Sequence, residues 1–232
     1  VIPEGTKRIE RAQLNIASEP GFLPEDGFEI ALKVPTLSFE PTLAFVMDLI
    51  KSLPESGGEG EAFIDTPETI AGTVDNLDIL GQQWKNVSLK AQSRTNSWLF
   101  SVGAQETLTD ITVFNDITTE GILIESQFLQ IKSGEENGET VSEPLRDSAK
   151  LIRSLPPIKF ECEVCSFNDK PLGKVSLLAN SNDNVLEIEQ FSFEFERTKL
   201  EATGAWYGNE QSGVTELNGK MYSRYFGKWL KH

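Results

Sequence analysis

The chain has 232 residues, 38% of them hydrophobic, and a formal net charge of -15. The apolar content is too high for a disordered chain. The acidity argues against nucleic acid or an anionic membrane surface as a direct partner, because both need a positive footprint. No apolar run approaches the roughly 18 residues of a membrane-spanning helix, and there is no signal-peptide core. The chain opens on Val1 rather than Met, so it reads as a piece of a longer product.

In chain order, residues 1–40 read as strands. Ala12, Leu14 and Ile16 alternate with polar residues, turns follow at Glu19-Pro20-Gly21 and Pro24–Gly27, and Phe28, Ile30, Leu32 and Val34 alternate in turn. Glu40-Pro41 opens an amphipathic helix over about 41–53. Its apolar positions are Leu43, Phe45, Val46, Met47, Leu49 and Ile50, and Pro54 stops it. From Ala62 to Lys132 short alternating runs return at a spacing near that of a meander. They include Ile70, Gly72 and Val74, then Val87 and Leu89, then Trp98, Phe100 and Val102, then Ile122 and Ile124. Residues 134–141 form an acidic loop.

Glu143-Pro144 begins a second helix over about 144–155, closed by Pro156 and Pro157. Strands resume at Ile158. The stretch from Val185 to Tyr207 carries the clearest pattern. Leu186, Ile188, Phe191, Phe193 and Phe195, then Leu200, Ala202, Gly204 and Trp206, are separated mostly by Glu, Ser and Thr. Successive side chains of a strand point to opposite faces. The stretch therefore predicts three tightly joined strands with one apolar and one acidic face. The tail from Met221 reads as the start of a third helix.

The two helices are related. Leu49–Pro54 reads LIKSLP and Leu151–Pro156 reads LIRSLP, each after Glu-Pro and each before a run of strands. Downstream, WKNVSLKA (Trp84–Ala91) matches LGKVSLLA (Leu172–Ala179). A unit of roughly one hundred residues, helix then meander, is used twice. The expected organisation is the end of a preceding β unit at 1–40, one helix-plus-meander unit at 41–142, and a second, truncated at its C-terminus, at 143–232.

Catalytic patterns do not emerge. The only histidine is His232, which removes Ser-His-Asp and Cys-His arrangements. No phosphate loop or metal-ligand motif occurs, so neither a cofactor nor a metal is expected. Most glutamates alternate with apolar residues and read as the wet face of a sheet. The chain is therefore expected not to be an enzyme. The two cysteines, Cys162 and Cys165, sit within a strand pattern. On a regular strand i and i+3 face opposite ways, which favours two unpaired structural thiols. A local disulfide, requiring a bulge or turn and an oxidising compartment, is the alternative.

The run from Leu155 to Gly208 carries Leu155-Pro156, then Leu172-Gly173-Lys174-Val175, then Leu200, Ala202, Gly204 and Trp206. That order resembles the AsmA-like family in its YhdP branch, and residues 27–54 resemble the family's glycine-led strand running into a short helix. The resemblance covers most of the chain and is strongest from about 143 to 220. It implies a mainly β fold: strongly curved antiparallel sheets of repeated meander units, forming an apolar groove, with the two short helices. It also implies a periplasmic segment of an inner-membrane-anchored protein of a Gram-negative bacterium, one that conducts or shields phospholipid between the membranes and supports the outer-membrane barrier. The partners implied are phospholipid acyl chains and neighbouring repeat units of the same chain. Candidate groove-lining residues are Val87, Leu89, Trp98, Phe100, Val102, Leu186, Ile188, Phe191, Phe193, Phe195, Leu200 and Trp206. Acyl chains there would gain about 0.8 kcal/mol per buried methylene. The alternative is a structural or interaction β module of the cell envelope with an ordinary packed core.

Overall fold

A computed structural model of the chain describes residues 11–16, 27–38, 68–79, 82–132, 152–153, 155–208 and 213–224. The strands are β1 (Arg11–Ile16), β2 (Gly27–Ser38), β3 (Thr69–Ile79), β4 (Gln82–Arg94), β5 (Ser97–Gly103), β6 (Thr107–Phe114), β7 (Ile122–Ile131), β8 (Ile158–Phe167), β9 (Lys170–Asn182), β10 (Val185–Phe195), β11 (Thr198–Gly208) and β12 (Gly213–Ser223). The mainly β class expected from alternation is what is found. The helix predicted at 41–53 and the acidic loop at 134–141 lie outside the described residues. Of the helix predicted at 144–155, residues 152, 153 and 155 are described: Ile152 and Arg153 are helical, and Leu155 is not.

Two compact units divide the chain, Val1–Gln105 and Glu106–His232. In the first, β1 to β5 lie side by side in sequence order; in the second, β6 to β12 do the same. The repeat boundaries read from sequence, 40/41 and 142/143, lie outside the described residues.

The sheets are mixed rather than antiparallel throughout. β1–β2, β2–β3 and β7–β8 are parallel, whereas β3–β4, β4–β5, β6–β7 and every pair from β8 to β12 are antiparallel. The physical reason is connectivity. A tight turn can join only antiparallel neighbours, whereas a parallel pair needs a crossover that brings the chain back along the strand. The two predicted helical segments fall in the connections β2-to-β3 and β7-to-β8, at the parallel seams.

The second departure concerns Val185–Tyr207, which forms two strands rather than three. β10 runs unbroken through the position expected as a joint, and the turn to β11 is at Glu196-Arg197, with Glu196 at φ 52°. The joint is a bulge. Ile188 pairs Ala179, but the next partner on that side is Gln190 with Leu178, so Glu189 is the extra residue. One extra residue shifts the side-chain phase, and Phe191 therefore shares a side with Ile188 although three positions separate them.

The internal repeat has a structural counterpart. Val87 and Val175, from the two matched octapeptides, are both buried, as are Ala91 and Ala179. Each valine belongs to a core cluster: Val74, Leu77 and Val87 in the first unit, Cys162, Cys165 and Val175 in the second. Trp84 and Leu172, which open the octapeptides, pack against those clusters. Both second strands of the repeat also carry a left-handed residue near this point, Asn86 at φ 53° and Gly173 at φ 76°.

Gly173 leaves no room for a side chain. A Cβ there would lie 2.2 Å from the Glu194 carbonyl oxygen. With the left-handed backbone added, Gly173→Ala is expected to cost about 1–3 kcal/mol of stability, seen as a lower urea midpoint. An unchanged midpoint would mean that β9 is regular at this point.

Candidate functional site

Cross-strand partners in a sheet share a side, so the register shows what each side displays. In the second unit, three rows of one side run across successive strands. One is Ile111, Ile124, Phe160, Leu177, Phe191, Ala202 and Gly219. The next is Val113, Ile122, Ile158, Ala179, Ile188, Gly204 and Leu217. The third is Thr109, Ser126, Cys162, Val175, Phe193, Leu200 and Met221. Leu186 and Trp206 are partners further along the same side, and Phe195 continues it beyond Phe193.

The first unit repeats the arrangement. Leu14, Ile30, Ile70, Ala91 and Phe100 form one row, and Ile16, Leu32, Gly72, Leu89 and Val102 the next. Val34, Val74 and Val87 form a third. Trp98 lies on the same side as Phe100, with ring centroids 6.4 Å apart.

Every candidate lining residue read from sequence thus lies on the apolar side of its own unit. Val87 is fully buried; Leu89, Trp98, Val102, Leu186, Ile188, Phe191, Phe193, Phe195, Leu200 and Trp206 are half-buried, and Phe100 is exposed. Sequence reasoning left out Ile124, Phe160 and Leu177, which complete the row of Phe191. The signal for Ile124 and Phe160 was present as alternation in ILIES and IKF, in strands that change phase midway, and that for Leu177 in the octapeptide of β9.

The apolar side of the second unit holds a buried polar cluster on β6 and β7. Thr107, Thr109 and Ser126 are buried, with Thr107 Oγ1 2.6 Å from Thr109 Oγ1 and Thr109 Oγ1 2.7 Å from Ser126 Oγ. Thr107 also donates to the Phe128 carbonyl. The hydroxyls satisfy one another in a chain, which lets them lie beside Cys162 at little desolvation cost.

The other side is charged. Asp110, Glu125, Glu161, Ser176, Ser192, Glu201 and Lys220 form a row in the second unit. Lysines sit among these acids, with Lys159 2.9 Å from Glu161, Lys174 2.7 Å from Glu163 and Lys199 2.7 Å from Glu201. The hydrogen bond and charge of Lys159 hold the Glu161 carboxyl below its ordinary value. Glu161, Glu163 and Glu201 in turn hold the ammonium groups of Lys159, Lys174 and Lys199 above theirs. These are solvated pairs that keep one side wet rather than large stabilising terms.

The two-sided surface acquires a context from comparison with known proteins. A family model described as YhdP protein matches residues 2–232. The chain belongs to the YhdP family. A curated relative, the "Intermembrane phospholipid transporter YhdP" of Escherichia coli (strain K12), is 22% identical over 200 residues, which is 86% of this chain and 15% of that protein. The chain thus spans about 15% of the length of the curated relative it matches. No solved structure matches it. In this YhdP-family segment the signature positions Leu200, Ala202, Gly204 and Trp206 all fall on the apolar side of β11.

The ion pairs make a pH prediction. A lowered carboxyl contributes stability that is present above its unfolded value and lost as pH falls through the folded one. A raised ammonium contributes below its unfolded value and loses that contribution as pH rises through the folded one. The Lys159–Glu161 pair therefore acts across neutral pH. Replacing Lys159 with Met should move the Glu161 carboxyl titration, followed by carbon NMR, up toward the ordinary glutamate range. An unmoved titration would show that the pair does not form in solution.

Proposed function

We propose that this chain is a non-catalytic periplasmic segment of an inner-membrane-anchored protein that holds or conducts phospholipid acyl chains between the inner and outer membranes. One observation carries the proposal. Two rows without a polar residue cross each unit, yet most of their side chains remain half-exposed. A sheet with such a side must cover it or offer it to an apolar ligand. Acyl chains suit it chemically, since they ask for area rather than directed polar contacts, at about 0.8 kcal/mol per methylene. Family membership and the phospholipid transporter named among its relatives support the same assignment. The Cys162–Cys165 disulfide fits an oxidising compartment such as the periplasm.

A structural module with an ordinary core is the second reading, and one contact favours it. Ile152 is fully buried, and the Leu155 carbonyl accepts a hydrogen bond from Ser181 Oγ, which lies on the apolar side opposite Leu186. The end of the β7-to-β8 connection is therefore held at that side.

Native mass spectrometry of the purified chain separates the two. Phospholipid is expected to co-purify, and Phe193→Gln should lower its occupancy about tenfold while the chain stays folded. Glu194→Gln, on the charged side, should leave occupancy unchanged. A folded, lipid-free wild type, or a Phe193→Gln chain that unfolds, would favour the packed-core module instead.

A further inference from the structure

Cys162 and Cys165 are joined by a disulfide, with Cα atoms 6.0 Å apart. Their place in the repeat explains why. The first unit changes side-chain phase within β2 and β3: Val34 pairs Val74 and Leu37 pairs Leu77, so residues three apart face the same way. The second unit does this at the corresponding place in β7 and β8, where Ser126 pairs Cys162 and Leu129 pairs Cys165. Cys162 and Cys165 thus occupy the positions held by Val74 and Leu77 in the first unit. In both units these residues are buried at the centre of the core cluster.

The residue inside the phase change differs between the units. In the first, Thr36 and Asn76 are partners facing the wet side, and both are exposed. In the second their counterparts are Phe128 and Val164, partners on the wet side, with Val164 62% exposed. A one-residue slip turns a strand's side chains over. In the first unit a slip would bury an amide and a hydroxyl, which costs free energy. In the second it would bury a valine and a phenylalanine, which does not. At the phase change itself the second unit therefore lacks the polar pair that opposes the wrong phase in the first.

We propose that the Cys162–Cys165 disulfide is a covalent register staple, fixing in the second unit the side-chain phase that Asn76 and Thr36 enforce in the first. Only with Cys165 turned to the same side as Cys162 can the two sulfurs meet, so the bond admits one phase and excludes the other. Phe191 and Phe193 pack against the cluster it anchors, which ties the phase of β8 to the apolar rows. The bond forms by thiol–disulfide exchange: two thiols lose two protons and two electrons to a small-molecule disulfide such as oxidised glutathione, which leaves as two thiols. Cys162 is 0% and Cys165 4% exposed. The pair is mid-strand rather than at a helix N-terminus, so it lacks the access and the setting of a dithiol catalyst.

The test uses the whole chain. Refolded with oxidised glutathione, it should be two hydrogen masses lighter than the reduced chain and unreactive to maleimide while folded. C162S/C165S should raise hydrogen exchange of the β8 and β9 amides by about twentyfold, the change expected when so short a closed loop is released. Adding Val164→Asn, the residue type of the first repeat, should bring exchange back toward the wild-type rate. Free thiols in the folded oxidised chain, unchanged exchange in C162S/C165S, or no recovery with Val164→Asn would each overturn the proposal. Should the serine variant fail to fold, V74C/L77C decides. A disulfide there supports equivalence of the two phase changes, and two free thiols refute it.

Discussion

A strand turns successive side chains to opposite sides, so a sheet keeps a one-sided apolar surface only where every strand stays in phase with its neighbours. That constraint governs both units of this chain. The Phe191 row is continuous because β6 through β12 each present the right residue at the same level. Where the sequence would fall out of phase, a local irregularity restores it, as Glu189 does in β10 and as the strands around Cys162 and Val74 do.

Connectivity supplies the second constraint. The antiparallel stretches β3–β5 and β8–β12 are joined by connections of two to four residues, and connections so short can only prolong a meander. The parallel seams before β3 and β8 need returning connections, and these are where proline-bounded helical sequences stand. One repeat is thus a returning connection followed by a meander, and its buried centre is rebuilt with different chemistry. Val74, Leu77 and Val87 in the first unit become Cys162, Cys165 and Val175 in the second.

Much of this was legible in the sequence, for a physical reason. Period-two alternation is set by covalent geometry, so the strands and the shared side of Phe191, Phe193, Leu200 and Trp206 could be read from residue types alone. Two things could not. Strand direction depends on how the chain returns between Ser38 and Thr69 and between Ile131 and Ile158, which local pattern does not encode. Bulges break alternation, so Ile188 and Phe191 read as belonging to separate strands, and Cys162 and Cys165 as thiols facing opposite ways. The bulge that alternation hides is also what lets the disulfide close.

The apolar side and its phase changes together define the surface proposed to meet acyl chains, and they make its boundary sharp at single-residue resolution. The most direct measurement is a photo-crosslinking scan along β10 with lipid-bearing protein, placing a photoreactive side chain at each position from Leu186 to Phe195 in turn. Acyl adducts should appear at Leu186 and Ile188, then after the phase change at Phe191, Phe193 and Phe195, with none at Glu187, Gln190, Ser192 or Glu194. Adducts that keep one unbroken alternation through Glu189, or that ignore the two sides, would contradict the account.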